Sequence, residues 1–192
     1  EGFVVKFLEK PKPEQAFSDV INSGLYIIEP EVLELIPENE KYDFSKQLFP
    51  KLLELGWPIY GKKIDGLWFD VGLPNELINA QHTLIRDREN LPFEMPQGQV
   101  IGTDGFEFSK SSSEAINHGS VLSDGSIVGK DTILENSLVM KESKIGNNCR
   151  VIDSVIGCNV KIDDNCTLEN CVIGDNVTIK RNTSLIEQKL KS

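Results

Sequence analysis

Several features that would direct the chain to particular protein classes are scarce or missing. No apolar run approaches the roughly 20 residues that span a bilayer, and the N-terminus lacks the basic-then-apolar order of a signal peptide. Lysine and arginine are scattered, and 30 acidic against 20 basic residues give a formal charge of -10. We therefore expect no membrane partner and no nucleic-acid partner, and we interpret the chain as cytoplasmic.

Cysteine is also sparse, and its spacing is not that of a zinc site. The four cysteines (Cys149, Cys158, Cys166 and Cys171) lack paired C-x2-C spacing. Cys149 and Cys166 lie 17 residues apart, at equivalent positions of a repeat, so we expect them to stack inward as small core residues. Reduced thiols are typical of a cytoplasmic protein.

Residues 1–92 alternate strand-like and helix-like patterns, which predicts a mixed α/β fold. The predicted strands are the opening "VVKFLEKPKP" up to its prolines, "SGLYIIEP" as a buried strand, "PIYGKKI" and "GLWFDVG". Helices are expected in "PEVLELIP", in "FSKQLFPKLLELG" and after Pro74 in "NELINAQHTLIRDREN". Residues 93–118, rich in Ser, Gly and Pro, are expected to form a linker.

From residue 119 to 192 the sequence repeats. Apolar residues recur in steps of 6, 6 and 5, at Leu122, Val128, Leu134, Val139, Ile145, Val151, Ile156, Ile162, Leu168, Ile173, Ile179 and Leu185. Four residues after most of these stands a small or β-branched residue, expected to point inward; Leu138 is the bulkier exception. A turn of 17 residues with three short segments predicts a triangular parallel β-helix of about four coils.

Candidate functional residues lie in the first part. "EKP" places Glu9 and Lys10 at the end of a predicted strand, and Asn22 precedes Ser23 and a glycine. Each stretch alone is more typical of a solvated loop or a turn than of a binding site. Asp70 in "GLWFDVGLP" is more specific, because a carboxylate in so apolar a stretch is costly unless it is paired or bound to a cation.

Taken in order, these stretches and the "IGNNCRV", "IGCNVKI" and "IGDNVTI" repeats closely resemble the sugar-1-phosphate nucleotidylyltransferases. The resemblance implies part of a Rossmann-like nucleotidyltransferase domain followed by a left-handed β-helix. It further implies transfer of a nucleotidyl group from a nucleoside triphosphate to a sugar 1-phosphate, with release of pyrophosphate. A homo-oligomer formed through the β-helix is also expected.

The resemblance assigns roles to four residues. Lys10 would contact the phosphate of the sugar 1-phosphate, Glu9 would bind sugar hydroxyls, and Asn22 would lie beside the sugar. Asp70 would bind Mg²⁺, shared with an aspartate from an N-terminal half. Leu73 replaces the threonine of the family's D-x-G-T-P pattern, which weakens a capping role at that position.

The family's nucleotide-binding loop is not found here, because the 192 residues contain no G-x-G-x-x-G sequence. We therefore expect the chain to be the C-terminal part of such an enzyme and to be inactive alone. Two alternatives remain: a hexapeptide-repeat acyltransferase using His118 as its base, and a non-catalytic assembly or regulatory subunit of a pyrophosphorylase.

Overall fold

The computed structural model describes residues 2–8 and 10–191. The chain forms two compact units, Glu1–Trp68 and Phe69–Ser192. The division falls between Trp68 and Phe69 rather than near residue 92, so the helix after Pro74 shares a unit with the solenoid.

The first unit has short helices and one small sheet. A 3-10 turn at Pro13–Gln15 is followed by helix α1 (Pro30–Leu33), a π-helical turn at Phe44–Leu48 and helix α2 (Phe49–Glu54). Strands β1 (Gly2–Phe3) and β2 (Tyr60–Gly61) pair antiparallel, and the N–H of Val4 extends the ladder by donating to the Ile59 carbonyl over 2.8 Å. The core of this unit consists of Leu48, Phe49 and Leu52, with Phe7 and Ile59 among the side chains packed around them.

Three of the four predicted strands are wrong. The opening strand is β1 at Gly2–Phe3, before "VVKFLEKPKP", whose described residues contain no strand although the Val4 N–H extends the ladder. "SGLYIIEP" and "GLWFDVG" contain no strand, and Leu25 and Ile27 are exposed rather than buried. A strand needs a neighbour that pairs its backbone groups and covers its side chains. Among the residues that the structure describes, no strand pairs with either segment. The helices expected in "PEVLELIP" and "FSKQLFPKLLELG" are confirmed as α1 and α2.

The second unit begins with helix α3 (Pro74–Arg86) and a 3-10 turn at Arg88–Asn90. Its strands are β3 (Gly98–Ile101), β4 (Gly105–Phe108), β5 (Ser112–Ser113), β6 (Ile116–His118), β7 (Val121–Leu122), β8 (Ile127–Val128), β9 (Ile133–Glu135), β10 (Leu138–Val139), β11 (Lys144–Ile145), β12 (Arg150–Ile152), β13 (Val155–Ile156), β14 (Lys161–Ile162), β15 (Thr167–Glu169), β16 (Val172–Ile173), β17 (Thr178–Ile179), β18 (Ser184–Ile186) and β19 (Lys189–Leu190). Within the described part of the chain, every helix falls short of the length and apolarity needed to cross a membrane.

The strands from β4 onward wind into a parallel β-solenoid, which confirms the predicted parallel β-helix. Three parallel sheets run along it, and β3 adds antiparallel to β4 at one edge. Each strand pairs with its equivalent one coil away; Val139, Ile156 and Ile173, for example, are in register. The solenoid has five coils rather than four, because β4, β5 and β6 build a first coil within the segment predicted to be a linker.

The predicted aliphatic rows form the solenoid core. Eleven of the twelve predicted positions are buried, from Leu122 to Ile179, and Leu185 packs partly buried against them. Cys149 and Cys166 are buried one above the other, and the Cys166 N–H donates to the Cys149 sulfur over 3.4 Å, which confirms the predicted stacking. All four cysteines are free thiols, and burial raises the pKa of the Cys149 thiol.

The small inward residues follow the predicted four-residue offset on two of the three faces. On the third face the inward residues are Ser137, Ser154 and Cys171, one position earlier than predicted. Leu138 and Val155, predicted to point inward, instead pack in a second cluster against α3. The reason is that this sheet is covered on both faces, so apolar residues are adjacent in its sequence rather than alternating.

The glycine of the "IG" repeats makes room for a side chain from the next coil. A methyl group on Gly146 would lie 2.5 Å from the Asp164 carboxylate, which accepts the Asn147 N–H over 2.9 Å. This N–H, together with the Arg181 guanidinium, lowers the pKa of Asp164. The repeat therefore keeps glycine where a carboxylate or amide caps a backbone N–H one coil away.

Buried hydroxyl groups satisfy backbone groups between coils, and Thr132 provides a test. Its hydroxyl donates to the Gly146 carbonyl over 2.8 Å and accepts the Cys149 N–H over 3.0 Å. Thr132→Val keeps the volume but leaves a buried N–H unsatisfied, so we expect a loss of roughly 1 to 3 kcal/mol in unfolding free energy. Thr132→Ser keeps the hydroxyl and should lose only about 1 kcal/mol for the missing methyl. Equal losses in chemical denaturation would contradict this role.

Candidate functional site

Lys10 lies in the first unit with its side chain exposed. Its backbone is in the left-handed region, with φ of 48°. This conformation is uncommon for a residue other than glycine, and backbone strain of this kind clusters at ligand-binding sites. The exposed ammonium group is a compact cation suited to a phosphate. Glu9, predicted to bind sugar hydroxyls, lies outside the described residues.

Asn22 is exposed, and its amide is fixed by three partners. Its Nδ2 donates to the Tyr26 hydroxyl over 2.5 Å and to the Ser45 hydroxyl over 3.4 Å. Its Oδ1 accepts the N–H of Gly24, whose positive φ of 78° is available to glycine at little cost. The amide therefore has a defined orientation.

Two of the predicted stretches meet in the first unit. The indole N–H of Trp68 donates to the backbone carbonyl of Ser23 over 3.1 Å, joining "GLWF" to "NSGLYI". The indole thus holds the loop that carries Asn22. Neither segment forms a strand, and this bond between them could not be read from the sequence.

Asp70 belongs to the second unit and is exposed. Asp70 is a candidate in the sequence analysis because a carboxylate among apolar neighbours is costly when buried. That reasoning is wrong here, because the side chain is exposed. The N-cap of α3 is Leu73, whose side chain makes no capping hydrogen bond, so Asp70 does not act as the cap. An exposed carboxylate three residues before a helix cap is free to bind a cation.

The described residues contain no group of three or more His, Cys, Asp or Glu side chains that could together hold a metal ion. Asp70 fits a narrower role. Mg²⁺ keeps several waters and is commonly held by one or two carboxylates together with substrate phosphates. A single exposed carboxylate is compatible with that mode of binding.

Two histidines occupy different environments. His118 lies exposed on β6, in register with Glu135, and not in a linker. His82 on α3 is buried, and its Nε2 lies 2.7 Å from the Gly119 carbonyl. Sequence reasoning missed His82, although it stands four residues after Ile78 and thus on the same buried face of the helix.

A cleft of about 370 Å³ on the solenoid is lined by Lys144, Lys161 and Arg181. Two of these cations already have partners: Lys161 lies 3.5 Å from Asp163, and Arg181 lies 2.6 Å from Asp164. The cleft does not contain Asp70. We interpret it as a surface lined by exposed ion pairs, which contribute little to stability.

The structure thus defines a hexapeptide-repeat protein in which a parallel β-solenoid follows an α/β segment. Residues 1–87 match the family model described as nucleotidyl transferase, and residues 100–190 match the one described as GMPPB C-terminal domain. The chain belongs to the sugar-1-phosphate nucleotidyltransferase family, which confirms the predicted resemblance.

Curated relatives agree with this assignment. The chain is 30% identical to a UTP–glucose-1-phosphate uridylyltransferase of Synechocystis, over 79% of the chain and 44% of the relative. It is 28% identical to a mannose-1-phosphate guanylyltransferase of Mycobacterium tuberculosis, over 78% of the chain and 41% of the relative. The chain therefore spans less than half the length of these two relatives.

Among solved structures, the acetyltransferase domain of PglB from Neisseria gonorrhoeae in complex with acetyl coenzyme A is 14% identical, with a TM-score of 0.44. The match covers 62% of each chain.

Proposed function

We propose that the protein containing this chain transfers a nucleotidyl group from a nucleoside triphosphate to a sugar 1-phosphate, giving a nucleoside-diphosphate sugar and pyrophosphate. The observation that carries the proposal is the match of residues 1–87 to the nucleotidyl transferase family. The two relatives described above are named for this reaction type, one with UTP and glucose 1-phosphate and the other as a mannose-1-phosphate guanylyltransferase.

In this proposal the first unit binds the sugar 1-phosphate. Lys10 pairs with its phosphate, because an exposed ammonium is a compact charge that a phosphate oxygen can approach directly. Asn22 faces the sugar, since its amide is held in one orientation by Tyr26, Ser45 and Gly24. Glu9 accepts hydrogen bonds from sugar hydroxyls.

The reaction is an in-line displacement at the α-phosphorus. An oxygen of the sugar phosphate forms a new P–O bond while the bond to pyrophosphate breaks, and the leaving group keeps the electron pair. Two polyanions must approach each other, and a chain of net charge -10 needs local cations for this step. Lys10 neutralises the sugar phosphate. Asp70 would hold Mg²⁺, which supplies further charge neutralisation when it is bound.

Pyrophosphate release by the full-length protein tests the proposal. UTP, GTP and ATP are each combined with glucose 1-phosphate and with mannose 1-phosphate in the presence of Mg²⁺. We expect release with at least one pair and none when either substrate is omitted. The 192-residue chain alone is expected to be inactive, because it contains no G-x-G-x-x-G loop. Absence of release with every pair by the folded full-length protein would contradict the proposal.

We further propose that the protein is cytoplasmic and forms a homo-oligomer through the solenoid. The four free thiols support a reducing compartment. Sedimentation of the full-length protein measures the oligomeric state.

A further inference from the structure

The segment that carries Asp70 has few attachments of its own within the second unit. Val71 and Leu73 are more than half exposed. Among the described residues of this unit, residues 69–73 take part in one backbone hydrogen bond. The Leu77 N–H donates to the Leu73 carbonyl over 3.1 Å. That bond belongs to the first turn of α3. Within its unit, the position of Asp70 therefore depends on the position of α3.

Helix α3 is attached to the first coils of the solenoid by packing. Ile78 and Ile85 are buried against four residues of the adjoining sheet, Phe106, Val121, Leu138 and Val155. Apolar packing of this kind is strong but weakly directional, so it fixes the helix against the sheet better than it fixes the helix rotation or its shift along the axis.

The directional contact on this face is made by His82. Its Nε2 lies 2.7 Å from the Gly119 carbonyl, and since a carbonyl can only accept, the Nε2–H is the donor. His82 is 8% exposed, so the bond is shielded from water. One turn later Arg86 lies 3.6 Å from Asp104, a longer contact that is an ion pair and not a hydrogen bond, with the Arg86 side chain half exposed. The bond to Gly119 therefore sets the register of α3 on the first coil.

We propose that His82 is a positioning residue for Asp70. By holding α3 to the solenoid at Gly119, it fixes residues 69–73 and places the Asp70 carboxylate for binding Mg²⁺. The solenoid then contributes to the reaction through α3 rather than serving only as an appended domain. This inference rests on the function proposed above, because Asp70 needs an exact position only if it binds the metal.

Amide hydrogen exchange of the 192-residue chain tests directly whether His82 holds α3 and residues 69–73 in place. His82→Leu removes the donor, and His82→Asn keeps a polar side chain that is too short to reach Gly119. Both are expected to speed exchange by about tenfold or more at Leu77, whose N–H donates to the Leu73 carbonyl and so holds residues 69–73 to α3, as in a locally opened segment. His82→Gln places an amide N–H near the position of Nε2 and should stay within about twofold of the natural protein.

A matched control separates positioning from general stability. Ile85→Val lies on the same buried face and weakens packing without touching the hydrogen bond. It should lower the melting temperature but leave exchange at Leu77 within about twofold of the natural protein. Unchanged exchange at Leu77 in folded His82→Asn, or equal acceleration by Ile85→Val, would overturn the proposal.

Mg²⁺ titration of the full-length enzyme gives the functional readout. We expect His82→Asn to raise the Mg²⁺ concentration for half-maximal rate by about threefold to tenfold or more, with rescue by His82→Gln. If this concentration is unchanged in His82→Asn while Asp70→Asn abolishes the response to Mg²⁺, only the positioning role is overturned. If Asp70→Asn leaves the response intact, the metal role of Asp70 in the proposed function fails, whatever the exchange data show.

Discussion

Asp70→Asn in the full-length protein is expected to lower the rate of pyrophosphate release by about two to three orders of magnitude. The substitution replaces an anionic oxygen with a neutral amide at almost unchanged volume, and metal-assisted charge neutralisation is typically worth several kcal/mol. Because Asp70 is exposed and does not cap α3, the fold should be preserved. The measurement is kcat for pyrophosphate release across a range of Mg²⁺ concentrations, with circular dichroism to verify folding.

Asp65→Asn is the matched control for this experiment. Asp65 is also exposed and lies five residues earlier in the sequence. The same loss of one negative charge at this position should change the rate by less than about twofold, since surface charges act weakly through screened solvent. An unchanged rate in Asp70→Asn at all Mg²⁺ concentrations would exclude Asp70 from the proposed metal site. Equal losses in the two variants would indicate a general effect of charge.

The second large effect is expected in hydrogen exchange of the 192-residue chain. Strand amides of the solenoid should exchange at least about a thousandfold more slowly than those of the first unit, a span typical of differences between stable cores and loosely held segments. The solenoid core is continuous from Leu122 to Ile179 and each coil pairs with its neighbours. In a stack of this kind, stability is the sum of repeat and interface contributions.

The first unit has much less to hold it together. Among its described residues the buried core consists of Leu48, Phe49 and Leu52, and Val5, Leu25 and Ile27 are among the exposed apolar side chains. Burying one such side chain is worth roughly 1.5 to 3 kcal/mol, which is a large share of the stability of a small domain. We therefore expect fast exchange or self-association through this unit. Uniformly slow exchange in a monomer would contradict the expectation.

The contrast between the units explains where sequence reasoning succeeded. In the solenoid the sequence repeat specifies the fold. The same 17-residue period determines the core row, the strand register and the stacking of the cysteines. Local pattern and tertiary neighbour coincide there, since the neighbour of each residue is its own equivalent one coil away. In the first unit "SGLYIIEP" has strand-like residues, yet pairing depends on a distant segment that local pattern does not specify.

The sequence by itself determined the parallel β-helix, its aliphatic core and the family, together with Lys10, Asn22 and Asp70 as candidate residues. Only the tertiary structure decided that α3 packs on the solenoid and that His82 meets Gly119, because both depend on which surface covers the sheet. It also decided that Asp70 is exposed. Periodicity states which residues share a face, but the contact made by that face is fixed only when separate elements pack together.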